Sequence, residues 1–183
     1  MNDGSIERCC ACAIEEGGAT HARRINPSTV VTAPWVRLKC QFGCPGYGRS
    51  YGCPPDTPTP RQTQEILDAY RRAVLFHLEA PSTPDGSRKK ERHRLYDALV
   101  KLEGDLFKDG FYKAFLFLSG PCHLCRECGK LKGEPCQLGY RARPSMEACG
   151  IDVYQTARNN GFFIEPLREK SETQNIYCLM LVD

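Results

Sequence analysis

Lys113 to Cys136 reads K-A-F-L-F-L-S-G-P-C-H-L-C-R-E-C-G-K-L-K-G-E-P-C. The first six residues are an apolar run of strand length. Ser119-Gly120-Pro121 then breaks the strand, and four cysteines follow: Cys122, Cys125, Cys128 and Cys136. Two gaps of two residues put three thiols on one tight loop. Such a run can wrap a cuboidal iron–sulfur cluster, because each sulfur must reach a different iron corner. The bacterial ferredoxin run closes sooner, whereas here seven residues precede Cys136. The fourth ligand is therefore Cys136 or a remote cysteine. A tetrahedral zinc ion is the alternative, since it also takes four thiolates from Cys-x2-Cys pairs.

Upstream, Ala73 to Leu78 (A-V-L-F-H-L) is a second apolar run, interrupted by His77. Between the two runs, Leu95, Leu99, Leu102 and Leu106 form a helical stripe. That helix is expected from Ser87 to about Asp109, after a turn over Pro81–Gly86, with Gly110 as its stop. Its start is very basic: Arg88, Lys89, Lys90, Arg92 and Arg94. A solvated face explains this, and a docking patch is the other reading. Strand, helix and strand at this spacing predict a parallel βαβ unit, with the cysteine loop at a strand's carboxyl end. The expected fold class is α/β: a single domain with a small, mostly parallel sheet flanked by helices and carrying cysteine-rich metal-cluster loops on one side.

Other elements follow from local signals. Thr59, Pro60 and Gln62 spell an N-cap, a first-turn proline and a capping box. Residues 29–39 read as two short β-pieces broken by Pro34, with Trp35 in the core or shielding a cluster. Ser145 caps a helix to about Asn160, stopped by Gly161. Asn175 to Val182 is a strand that buries Cys178.

A second cysteine module lies at Cys40 to Pro55, C-Q-F-G-C-P-G-Y-G-R-S-Y-G-C-P-P. Cys40, Cys44 and Cys53 are its candidate ligands. Its glycines allow a tightly curved loop that can turn backbone N–H groups toward a cluster. Cys149 is a further candidate ligand or a small buried thiol. Tyr47, Tyr51, His123 and Arg143 are candidate substrate or supporting residues. Cys9, Cys10 and Cys12 fall in a polar segment read as a flexible terminus, residues 1–28, ahead of a metal-binding domain over 29–183.

Twelve cysteines in 183 residues is a high count. No secretory h-region opens the chain and no apolar run approaches the ~20 residues of a membrane span. A reducing, cytoplasmic setting is therefore expected, where clustered cysteines bind metal rather than pair. The net charge of +3 is too small to imply a polyanionic partner, so neither nucleic acid nor membrane is expected.

Three segments carry a resemblance. W-V-R-L-K-C-Q-F-G-C-P-G-Y-G with Y-G-C-P-P, G-P-C-H-L-C-R-E-C with G-E-P-C, and R-P-S-M-E-A-C-G-I-D-V resemble the predicted metal-binding proteins of the domain-of-unknown-function family 2284. The similarity runs from about Ala33 to Val182. It implies an intracellular iron–sulfur or metal-binding protein of anaerobic metabolism, with Cys40, Cys44, Cys53, Cys122, Cys125, Cys128 and Cys136 as the motif cysteines. The motif reads without a cysteine at position 149, and it implies no settled reaction.

The function expected is [4Fe-4S] binding, with one or two clusters per chain, and electron transfer to a redox partner protein. The alternative is an enzyme whose cluster keeps an open iron for reduction or sulfur chemistry on a small molecule. A zinc-stapled structural or interaction module is the third reading.

Overall fold

The computed structural model describes residues 3–82, 87–169 and 171–183. Residues 83–86 of the turn expected at Pro81–Gly86 lie outside them. Helix α1 (Asp3–Glu15) is followed by β1 (His21–Ile25), α2 (Pro34–Gly43), α3 (Pro60–Leu67) and β2 (Ala73–Ala80). Then come α4 (Ser87–Lys108), β3 (Phe115–Phe117), α5 (Val153–Asn159) and β4 (Gln174–Leu181). Short 3₁₀ turns sit at Pro27–Thr29, Gly129–Lys132 and Glu147–Cys149.

The sheet order is β1-β2-β4-β3, and all three pairings are antiparallel. The expected mostly parallel sheet is thus corrected. β2 and β3 do run in the same direction, but β4 is inserted between them and opposes both. The helix crossover was legible, whereas the inserted strand comes from the far end of the chain. The misreading has a physical cause: continuous apolar runs mark a strand covered on both faces, and parallel strands are the usual instance.

Here too both faces are covered. Val74, Phe76, Leu78, Ile176, Cys178 and Met180 pack against Leu95, Leu99, Leu102 and Leu106 of α4 and against Ile6, Cys9 and Ala13 of α1. Leu75, Tyr177, Leu179 and Leu181 face the other way, onto Leu67 of α3, Ala157 of α5, and Met146, Cys149 and Ile151. The alternation is the two-residue period of a strand.

Several local expectations meet the structure differently. The terminus read as flexible is helical from Asp3 and buries Ile6, Cys9 and Ala13. Residues 29–39 do not form two β-pieces: Pro34 starts α2, since a first-turn proline costs a helix no hydrogen bond. Trp35 is 46% exposed on that helix rather than in the core. The helix expected from Ser145 to Asn160 is two elements. Ser145 Oγ accepts from Ala148 N (3.1 Å) to cap the 3₁₀ turn, and Asp152 caps α5 separately. Gly150 parts them at φ 78°, where a Cβ would lie 2.4 Å from Pro60 Cγ. The capping box at Thr59 and Gln62 is present in full.

Candidate metal centre

The central loop leaves β3 and returns at a narrow neck. Leu118 N donates to Pro144 O (2.9 Å), and Met146 N donates to Leu118 O (2.8 Å). From Ser119 to Pro144 no residue is buried. The loop has no apolar core of its own, so its own backbone hydrogen bonds and its ties to the first module hold its shape. Gly129 lets it double back: a Cβ there would meet Pro135 O at 2.9 Å. Glu134 N donates to Gly129 O (2.9 Å), which closes the turn that brings Cys136 toward Cys128.

Cys122, Cys125, Cys128 and Cys136 line one open cavity of about 850 Å³, and Cys53 of the first module joins them. Burial raises the Cys122 thiol, and the other three loop cysteines push it the same way; the Leu124 backbone N–H, bonded to it, pulls it down. Backbone donors of this kind favour the thiolate form that a metal needs. Arg49, Arg126 and Lys132 stand on the same wall.

The first module hangs from the end of α2. Cys40 and Cys44 share a second cleft of about 420 Å³ with Cys53, Tyr47, Glu147 and Asn175. Cys40 Sγ donates to the Glu147 carbonyl (3.8 Å), and Cys53 Sγ lies 3.2 Å from Ser50 Oγ. Burial raises the Cys40 thiol first, then Glu147 and Cys44, against the pull of Arg37. Cys53 lies on both cavities, so the modules share a wall. Tyr51 Oη donates to Glu134 O (2.7 Å), and Lys130 pairs with Asp56, so each loop holds the other.

The donor set is uniform, soft sulfur, which suits iron–sulfur clusters and zinc alike. Spacing adds a second test. Among the described residues no three of these sulfurs lie within 4.8 Å of one another. Two thiolates on one tetrahedral zinc stand roughly 3.8 Å apart. To close on a single ion, at least three of the thiols would have to draw together.

All twelve cysteines are free thiols. Cys149 lies in the layer beneath Cys40; burial pushes its thiol up to about 12. Cys9, Cys10 and Cys12 sit on α1, on the opposite face of the sheet, and Cys178 faces the same way. The structure therefore sets the seven motif cysteines on two cavities that share Cys53, and leaves those four apart. Of the other candidates, Tyr47 lines the first cleft and Tyr51 is the tether just described. His123 approaches Arg92 (3.4 Å), and its ring lies 5.7 Å from that of His93. Burial, then Arg92, His93 and Lys89, depress the His123 pKa. Arg143 is committed elsewhere: Nε donates to Glu103 Oε2 (2.6 Å) and Nη1 to the Ala142 carbonyl (2.8 Å).

Two residues gain roles that their sequence positions did not reveal. Glu147 accepts from Ser119 Oγ (3.4 Å) and Gly120 N (3.3 Å), at the root of the central loop, while its carbonyl takes Cys40. His93 was hidden in a basic run, where only helical phase turns it toward His123.

The family model for "Predicted metal-binding protein (DUF2284)" matches residues 23–182. The chain belongs to this family. The match takes in both cysteine modules of this DUF2284 chain and begins after α1. No curated protein and no solved structure matches it. Among the described residues, no helix is long and apolar enough to cross a membrane.

Proposed function

We propose that this DUF2284 protein is an iron–sulfur protein of the reducing cytoplasm, with Cys122, Cys125, Cys128 and Cys136 holding a [4Fe-4S] cluster for electron transfer. The observation that carries this reading is the open cavity lined by all four thiols, three of them at Cys-x2-Cys-x2-Cys spacing. A bound cluster of this type supplies one-electron transfer. The chain's own groups do the rest. Leu124 N–H steadies the Cys122 thiolate, and Arg49, Arg126 and Lys132 offset the negative charge of several thiolates. The basic start of α4 brings Lys89, Arg92 and His93 beside His123 and widens the positive rim. That rim suits an acidic redox partner.

A second reading is favoured by the first cleft. Cys40, Cys44 and Cys53 supply three thiolates, one fewer than a cubane has irons, and Tyr47, Glu147 and Asn175 share their cleft. An open metal position there would serve reduction or sulfur chemistry on a small molecule.

Anoxic purification with iron, sulfide and zinc analysis tests both. Roughly four irons and four sulfides per chain support the central cluster, and about eight support both. Cys136→Ser is expected to remove the central iron; unchanged iron content strikes Cys136 from the ligands. EPR of the reduced protein with added small ligands asks whether a site has an open iron. A colourless protein with stoichiometric zinc overturns both readings and leaves a zinc-stapled module.

A further inference from the structure

We propose that His21, His77 and Glu79 form a separate binding site for a zinc-like divalent transition ion at the edge of the sheet. Its ligands lie outside both cysteine loops. His21 and His77 are register partners on β1 and β2, and Glu79 lies two residues beyond His77 on the same face. One donor atom from each of the three falls within 4.8 Å of the others.

The imidazole geometry points to a ligand. The two Nδ1 atoms face each other at 3.1 Å. Two imidazole nitrogens on a tetrahedral zinc, at about 2.0–2.1 Å each, stand roughly 3.3 Å apart. That separation is close to the bite of such an ion; the rings are nearly parallel (8°), so the exposed His21 ring turns for both lone pairs to converge on it. His77 Nε2 donates to Asn175 Oδ1 (2.8 Å), so the neutral ring carries its proton there and leaves the Nδ1 lone pair free. That arrangement is the one by which supporting carbonyls fix metal-binding histidines. Without an ion, the His21 Nδ1–H donates to His77 Nδ1; with one, that proton moves to His21 Nε2 and both Nδ1 atoms ligate.

The His77 ring is held in place before any ion arrives, and exposed His21 can turn to meet it. His77 stacks on Tyr177 (4.6 Å between centroids, 11°), and Phe162 meets both imidazoles edge-on at 5.8 and 5.3 Å. Thr20 binds the strand on either side, its N donating to His77 O (2.8 Å) and its Oγ1 accepting from Glu79 N (2.8 Å). His21 and Glu79 are exposed, so an ion can enter from solvent. Three protein ligands leave a fourth position for water or a small anion, the open arrangement of catalytic rather than closed structural zinc. Asn175 also lines the Cys40 cleft, so the supporting residue of this site is a wall of the other.

The test is a calorimetric titration of zinc chloride into protein whose cysteine loops are already filled with iron or zinc, beside His21→Gln and Glu79→Gln. Both altered side chains are exposed, and far-UV circular dichroism checks that the fold is kept. One binding event is expected in the unaltered chain, lost in His21→Gln and at least about tenfold weaker in Glu79→Gln. Iron content should be equal in all three, which separates this site from the cysteine loops. Imidazole ¹⁵N spectra should show the Nδ1 signals of His21 and His77 moving with zinc. Zinc binding that survives His21→Gln, or Nδ1 signals that zinc leaves unchanged, overturns the site and leaves a hydrogen-bonded histidine pair.

Discussion

Glu147 works at both ends of its own residue. Its carboxylate holds Ser119 and Gly120 where the central loop departs, and its carbonyl receives the Cys40 thiol. Outer-shell partners of this kind typically govern metal affinity by 10–100-fold. Glu147→Ala is expected to weaken iron retention by about tenfold. The measurement is the rate of iron loss to a chelator, with iron per chain compared at the start. Retention equal to that of the unaltered protein would make Glu147 a spectator. The seven cysteines were legible as candidates because ligand spacing is a local property. Glu147 was not, because its partners lie 27 and 107 positions away and share no pattern with it.

At the level of elements, α1 contributes more than its sequence suggests. Its cysteines and acidic start read as a polar terminus, yet Ile6, Cys9 and Ala13 recur at helical spacing and enter the core beside α4. Ile6→Ala is expected to cost about 3 kcal/mol in chemical denaturation. A loss near zero would mean that α1 is detached in solution. Beyond α1, Arg72 at the foot of β2 donates to Asp183 just past β4, through Nε (2.7 Å) and Nη2. These bonds hold the Asp183 carboxyl below its ordinary 3.8, with burial opposing them. A depressed folded-state pKa contributes stability that is complete above the unfolded value and is lost as pH falls through the folded one. Asp183→Asn should therefore lower Tm at pH 7, and the gap should narrow at pH 3. A gap of equal size at both pH values would contradict this. The capping box of α3 and the leucine stripe of α4 were legible because a helix encodes itself within a few residues. Strand order was not, since β4 slots between β2 and β3 from about sixty residues beyond β3.

Across the whole molecule, the two core layers and the two cysteine loops are built from different residues. The apolar layers draw on the sheet and on α1, α3, α4 and α5, whereas residues 119–144 bury nothing. Small zinc fingers unfold without their metal because the metal is their core. Here removal of metal should leave the sheet intact. Chelation is expected to preserve far-UV circular dichroism and the slow exchange of β2 and β4 amides, while exchange over residues 119–144 accelerates. Collapse of the sheet signals on chelation would show that metal and fold are one cooperative unit.

The neck at Leu118 and Met146 bears on the order of assembly. Its two hydrogen bonds belong to the sheet's own periphery, so the polypeptide can close before any cofactor arrives. On this reading the loop is a surface receptacle whose thiols line one open cavity, which a cofactor donor can fill after the chain has folded. A cell short of that cofactor would accumulate a folded, empty protein rather than aggregates. Replacing residues 121–142 with a short linker, which keeps Arg143 on Glu103, should likewise yield a folded chain with no central cluster.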